Sequence, residues 1–231
     1  MALTRSTSAE DAALAALLAE ETGDGLVSPQ PAGSPQPPAV HTWRWVFSAM
    51  AVVALGWSSA VSGAQVPLLS GVDFGVHELG HLLTAWAPWV VTAAAGSVLQ
   101  VAVPLGLAAY FGFARHEIWA AAPLMAWAGT SARNVAVYIA DAPYQRLELW
   151  GGDGVLHDWA QLLAGRPMQH AEQIAWVVNA IGWLLIAGGL GLVAWMAVAE
   201  RLAAARFAAK RAADEARHAT LPVREPRGPI G

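Results

Sequence analysis

The sequence contains no cysteine and few charged residues, and each absence excludes a class of protein. Without cysteine, the 231-residue chain cannot form disulfide bonds or thiolate metal sites, so any metal ion must be held by His, Asp or Glu. Only 13% of the residues are charged and 56% are hydrophobic, whereas ordinary soluble domains are about 25% charged. With a mean hydropathy of +0.42, this composition predicts an integral membrane protein with one membrane domain and no separate catalytic domain.

The net charge of −4 conceals an uneven distribution of basic residues. Of the 13 Lys and Arg residues, seven lie between Arg201 and Arg227. By the positive-inside rule, this cluster predicts a cytoplasmic C-terminus for a multi-pass membrane protein. It is not expected to bind nucleic acid, and the predicted surroundings of the chain are the lipid bilayer.

The order of apolar and polar segments predicts an all-α, polytopic membrane helix bundle of about four spans. Residues 1–41 are expected to form a disordered N-terminal tail with a short acidic helix at 8–21. Residues 42–199 are expected to form the membrane domain, and residues 200–231 a basic cytoplasmic tail. No apolar stretch of the signal-peptide kind lies near the N-terminus, so the first span is expected to be an uncleaved anchor. The predicted spans are 43–62, 90–113, 118–140 and 174–198.

One stretch carries the residues for chemistry, His77-Glu78-Leu79-Gly80-His81. Residues four apart share a face of a helix, so His77 and His81 could bind one zinc ion while Glu78 projects beside them. In this pattern, the glutamate is the general base that takes a proton from zinc-activated water. Ionisable groups inside an apolar segment are costly, which favours a functional site over incidental polar residues.

The helix that carries this motif is predicted from 71 to 86 and is ended by Pro88. At 1.5 Å per residue it reaches about 24 Å, short of the roughly 30 Å hydrocarbon core. We therefore expect a partial or re-entrant helix. That arrangement also places the motif and the 142–172 loop on one side of the membrane, whereas five full spans would separate them.

Zinc needs at least a third protein ligand, and the candidates lie at or after the end of the 118–140 span. They are His157, Asp158, Asp153 and Asp141. Because His157 and Asp158 are adjacent, their side chains point about 100° apart on a helix, so only one of them is expected to ligate directly. The other would orient a metal ligand through a hydrogen bond without contacting the metal itself.

Three polar residues inside predicted spans are expected to face a polar interior. Asn134 is a candidate for positioning a substrate carbonyl, and Arg133 for stabilising an oxyanion or pairing with Asp141. The alternative for Arg133 is a side chain that snorkels to the membrane interface. Gln100 is expected either to form a hydrogen bond between helices or to support a metal ligand.

Four motifs together resemble the site-2-protease family of intramembrane zinc metalloproteases, and more closely a group of small bacterial membrane proteins placed near that family. The resemblance covers about residues 70–175 and implies a multi-pass protein of the bacterial inner membrane. The smaller group favours the pair His157-Asp158 for the third ligand, and the order in which we expect the candidates is His157, then Asp158, then Asp153. Asp153-Gly154 is similar to the family's third-ligand motif but lacks its Asn and Pro context. The motifs are His77-Glu78-x-Gly80-His81, Gly96-Ser97-x-x-Gln100-x-x-x-Pro104, Asn134-Val135-x-Val137-Tyr138-Ile139-Ala140-Asp141, and Gly151-Gly152 followed by His157-Asp158-Trp159.

These features predict a zinc-dependent hydrolase, and specifically a metallopeptidase acting on a membrane protein or peptide. A zinc lipid amidase remains an alternative, as does a non-catalytic metal-binding protein such as a carrier, sensor or assembly factor. A di-iron site would need more clustered histidines than the chain offers. The sequence leaves the substrate and the oligomeric state open. The candidate site residues are Glu78, Asn134 and Arg133 for catalysis, and His77, His81, His157 and Asp158 for the metal.

Overall fold

The computed structural model describes residues 36, 38–148 and 156–219, and all regular secondary structure within them is helical, as predicted. A π-helical turn, Tyr110–Ala114, extends the third helix. The predicted helix at 8–21, most of the predicted tail 1–41, the candidate ligand Asp153 and the chain beyond residue 219 lie outside the described residues. The helices are α1 Thr42–Val61, α2 Leu69–Leu83, α3 Trp89–Ala109, α4 Ile118–Asp141, α5 Asp158–Leu162 and α6 Met168–Ala219.

Three of these helices are long and apolar enough to cross a membrane, namely α1, α3 with its π-helical turn, and α6. Four spans were predicted, and α4 is the one outside this set. Its 24 residues reach about 36 Å, which is long enough to span. However, Arg133, Asn134 and several small or hydroxyl residues lower its hydropathy.

Helix α4 lies at the centre of the bundle and contacts α1, α2, α3 and α6. It runs parallel to α1, since Ser48 of α1 donates to the Trp119 carbonyl near the start of α4, and Arg133 reaches Ser59 near the end of α1. Both α3 and α6 run antiparallel to it. Its buried face is made mostly of small residues, which lets the neighbouring backbones come close. This position removes the polar residues of α4 from the outer surface of the bundle, wholly or in part.

Contacts between the motif helix α2 and α4 begin near the middle of α4. Near its start, Asp73 accepts hydrogen bonds from Trp127 Nε1 at 2.8 Å and from Ser131 Oγ at 2.9 Å. One turn later, the rings of His77 and Tyr138 lie 6.0 Å apart. With 15 residues, α2 is about 22 Å long, so it starts level with the middle of α4 and passes toward the end of α4.

The last helix is continuous where the sequence predicted a span at 174–198 followed by a basic tail from residue 200. It has 52 residues and a length of about 78 Å, much more than a membrane crossing needs. No glycine or proline follows Gly191 within it, and the Ala-rich stretch has high helix propensity, so nothing ends the helix at the predicted boundary. Glu200 anchors this region to the start of α1 by accepting a hydrogen bond from Trp45 Nε1 at 2.8 Å.

Candidate metal site

The two histidines of the motif share one face of α2, as predicted, and their ring centroids lie 4.8 Å apart. They face α3, which packs backbone to backbone against α2. A Cβ atom at Gly96 would lie 2.6 Å from His77 Nε2, and one at Gly80 would lie 2.5 Å from the Ala95 carbonyl oxygen. Only glycine fits at these two positions, so the small residues of the motifs make room for the imidazole of His77.

The outer nitrogen of each imidazole contacts an oxygen acceptor. His81 Nδ1 lies 2.8 Å from the Thr92 carbonyl, which can only accept, so this nitrogen carries the proton. His77 Nδ1 lies 3.3 Å from Gln100 Oε1, and the amide nitrogen of Gln100 donates to Asn134 Oδ1 at 3.1 Å. Both Nδ1 atoms therefore act as donors, and a neutral ring in this tautomer presents the lone pair of Nε2 to the interior.

Both Nε2 atoms converge on one oxygen of Asp158. Asp158 Oδ2 lies 3.1 Å from His77 Nε2 and 3.3 Å from His81 Nε2. Two lone pairs and a carboxylate oxygen cannot face one another without a cation between them, either a proton or a metal ion. In a tetrahedral zinc site with bonds of about 2.0–2.1 Å, ligand atoms lie roughly 3.3–3.4 Å apart, close to the separations found here. The donor set and its spacing therefore fit zinc.

Glu78 lies beside this group, since its carboxylate and the ligand nitrogens of His77 and His81 all lie within 4.8 Å of one another. Its side chain is exposed to a cavity of about 510 Å³. The metal site forms one wall of this cavity, so a substrate held there would lie next to Glu78. The lining residues discussed below are the metal site itself, Asn134, Tyr138, Glu148 and four apolar side chains, Phe74, Val137, Leu147 and Leu156.

Asp158 is held by Tyr138. The Tyr138 hydroxyl accepts a hydrogen bond from Asp158 N at 3.0 Å and donates to Asp158 Oδ2 at 3.4 Å. The short helix α5 that begins at Asp158 is fixed at its other face, where Trp159 Nε1 donates to Ser97 Oγ on α3 at 3.0 Å. The position of the carboxylate is thus set by α3 and α4 together.

His157 points away from the histidine pair. Its ring stacks on Tyr138 at 4.1 Å, and its Nε2 lies 3.6 Å from Asp141 Oδ2. Its Nδ1 accepts a hydrogen bond from Ala160 N and so caps α5. Burial lowers the pKa of the His157 imidazole, and the Asp141 and Asp158 carboxylates offset part of this effect. Of the two adjacent candidates, the structure brings Asp158 to the imidazoles and places His157 behind it.

Arg133 and Asn134, both candidates for catalysis, point in different directions from α4. Asn134 lines the cavity. Arg133 turns to α1 and α6, where Nη1 donates to Ser59 Oγ at 2.6 Å, Nε donates to Asn179 Oδ1 at 3.1 Å, and the guanidinium lies 4.1 Å from the Trp183 ring centre. The structure therefore does not bring Arg133 to the metal ligands or to Asp141, and its contacts join three helices.

Sequence reasoning gave no role to Tyr138, which the structure places at the site, or to Asp73, which holds the motif helix one turn before His77. Asp73 lies four residues before His77 on the same helix face, so its spacing could have marked it as part of the same polar line. Tyr138 shares a face with Asn134 and Asp141, but nothing in the sequence shows that its hydroxyl contacts Asp158. The Thr92 carbonyl, a backbone atom, carries no sequence signal.

Comparisons with known proteins do not assign this protein to a family, so the fold and the site define only a general class of protein. No protein-family model, curated protein or solved structure matches this chain. The fold and the site define an all-helical protein with three helices able to cross a membrane and a group, His77, Glu78 and His81, able to hold a metal ion. The resemblance to the site-2-protease family stays a prediction from sequence motifs.

Proposed function

We propose that this protein is a membrane-embedded zinc-dependent hydrolase, and specifically a metallopeptidase. The observation that carries the proposal is the convergence of His77 Nε2 and His81 Nε2 on Asp158 Oδ2 beside the exposed carboxylate of Glu78. Two imidazoles and a carboxylate are a donor set that zinc accepts in hydrolases, where it leaves a fourth coordination position open. Here that position would face the 510 Å³ cavity.

When bound, zinc would polarise a carbonyl group and lower the pKa of a water molecule. The residues of the chain supply the other functions. Glu78 takes the proton of the attacking water and passes it to the departing amine nitrogen, while the new C–O bond forms and the amide C–N bond breaks. Asn134 accepts from Gln100 through Oδ1, which leaves its amide N–H groups as donors toward a substrate carbonyl.

The same proposal includes an arrangement in the bacterial inner membrane. Helices α1, α3, α4 and α6 would span it, α2 would be a partial helix, and the basic end of α6 would be cytoplasmic. The short length of α2, and its contacts with α4 that begin only near the middle of α4, support this arrangement. The metal site, near the ends of α1 and α4, would then lie toward the outer face.

Metal analysis of the purified protein tests the site. We expect about one zinc ion per chain by mass spectrometry in the wild type, loss of zinc in His77→Ala and Asp158→Ala, and retention in Glu78→Gln and His157→Ala. A wild type without zinc after metal-replete purification would refute the proposal. Retention in Asp158→Ala with loss in His157→Ala would instead make His157 the third ligand.

Glu78→Gln separates catalysis from metal binding alone. In a hydrolase, this variant keeps the metal but loses hydrolysis and cannot replace the wild type in a deletion strain. If Glu78→Gln restores full function to such a strain, the protein is a non-catalytic metal-binding protein. Lipid profiles of the deletion strain distinguish a peptidase from a lipid amidase, because only loss of an amidase would cause its lipid substrate to accumulate.

A further inference from the structure

The charges around the cavity bear on the substrate of the proposed hydrolase, and the inference rests on that proposal. Three carboxylates line the cavity, those of Glu78, Asp158 and Glu148, and no Lys or Arg is among the described residues that line it. The segment 149–155, which the structure does not describe, contains no basic residue in its sequence. A bound zinc ion would offset two of the three charges, so the cavity would stay negative.

Basic residues near this end of the bundle do not line the cavity. The guanidinium of Arg146 lies 5.3 Å from the Tyr144 ring centre, and Arg166 is exposed in the turn before α6. The Arg133 guanidinium donates hydrogen bonds to Ser59 and Asn179. Of the three carboxylates, Glu148 is the one with no place in the metal chemistry. It is exposed in the chain segment after α4, where it is free to meet a substrate.

Apolar side chains share the cavity with these carboxylates. Phe74 lies on the motif helix, Val137 on α4, and Leu147 and Leu156 on the chain between α4 and α5. A volume of about 510 Å³ lies within the usual range for small-ligand sites and accepts a few residues of a peptide. The lining is thus suited to an apolar side chain next to a positive one.

We infer that the substrate is a peptide segment with a cationic side chain near the bond that is cleaved, and that anionic chains, acidic lipids included, are excluded. The discrimination comes from Glu148. A lysine several ångströms from its carboxylate is attracted, and a glutamate in the same place is repelled. At the intermediate dielectric of a protein surface, the two effects together amount to about tenfold in affinity or more.

The test uses peptide hydroxamates, which bind a catalytic metal without being cleaved. Three probes of one sequence differ at a single residue, which is Lys, Gln or Glu, and binding to the zinc-loaded protein in detergent is measured by calorimetry. We expect the Lys probe to bind about tenfold more tightly than the Glu probe. Glu148→Gln should reduce this ratio to near one, and Glu148→Lys should reverse it. Glu117→Gln, at the opposite end of the bundle, is the matched control and should leave the ratio unchanged.

The possible failures are distinguishable. If the probes bind with equal affinity, or if the Glu probe binds more tightly, the charge inference is overturned while the hydrolase proposal stands. A ratio that Glu148→Gln leaves unchanged also overturns it. If the wild type holds no zinc, or holds zinc but binds none of the three probes, the proposed catalytic site itself is wrong and the inference falls with it.

Discussion

Removal of the Tyr138 hydroxyl by Tyr138→Phe tests how Asp158 is held beside the two imidazoles. The hydroxyl makes two contacts, and both are with Asp158, at the backbone N–H and at Oδ2. The phenylalanine ring keeps the stacking on His157 and the edge contact with His77. The variant therefore removes the hydrogen bonds to Asp158 and little else.

The expected magnitude follows from the geometry. The N–H bond at 3.0 Å is of ordinary length, and the contact at 3.4 Å is long and weak, so the net loss is about 1–2 kcal/mol. Partners that orient metal ligands typically change metal affinity by about 10- to 100-fold. We expect zinc affinity to fall about tenfold, the lower end of that range, because Trp159 still fixes α5 to Ser97.

The assay is competition for zinc against a chromophoric chelator, performed on detergent-purified protein. Tyr144→Phe is the matched control, since this tyrosine is exposed in the turn after α4 and is not among the residues that line the cavity. If Tyr138→Phe binds zinc like the wild type while Asp158→Ala does not, the hydroxyl has no part in holding the carboxylate. A loss as large as that of Asp158→Ala would mean that the hydroxyl does more than position it.

Three further predictions concern the packing around the site. Gly96→Ala should displace the His77 ring and abolish zinc binding, while Gly106→Ala, also on α3 but in open space, should have no effect, as measured by metal content. Asp73→Ala leaves two donors on α4 without their acceptor, which costs about 2–4 kcal/mol. The midpoint of thermal unfolding, followed by tryptophan fluorescence, should fall by about 5–10 °C; an unchanged midpoint would show that these bonds do not anchor α2. Arg133→Lys should lower the same midpoint, because lysine cannot bond Ser59 of α1 and Asn179 of α6 in the two directions of a guanidinium group. The zinc content should stay that of the wild type. A loss of zinc would show that Arg133 takes part in metal binding.

The sequence predicted the helices and the histidine pair because both depend on local pattern. Apolar runs mark the long helices, and the spacing of His77 and His81 fixes them on one face. The motif helix was predicted to extend to residue 86 before Pro88, but it ends at Leu83, and Pro88 directly precedes α3. The position of α4 could not be read this way. Hydropathy measures how favourably a segment transfers from water to an apolar medium. Because α4 is surrounded by other helices, it can carry polar residues and does not need a high hydropathy.

The choice between His157 and Asp158 depends on a rotation that the sequence does not encode. Successive residues on a helix are rotated by about 100°. A small change in where α5 begins would therefore turn His157 instead of Asp158 toward the imidazoles. The rotation is set by distant contacts, the Tyr138 hydroxyl to Asp158 and the indole of Trp159 to Ser97. Arg133 and Asn134 show the same effect on α4, where adjacent polar residues turn to different neighbours.

Polar side chains of α2 form hydrogen bonds with α3 and α4. These bonds explain why a short helix with several polar residues can lie in an apolar bundle. Asp73 binds α4, His77 reaches the Gln100 amide on α3 and through it Asn134 on α4, and His81 reaches the α3 backbone. Each contact satisfies a polar group whose burial without a partner would cost free energy. The contacts use the outer nitrogens of both imidazoles and leave the inner ones directed at Asp158. The contacts of His77 and His81 with α3 thus help to hold α2 in place and also prepare both histidines to bind a cation.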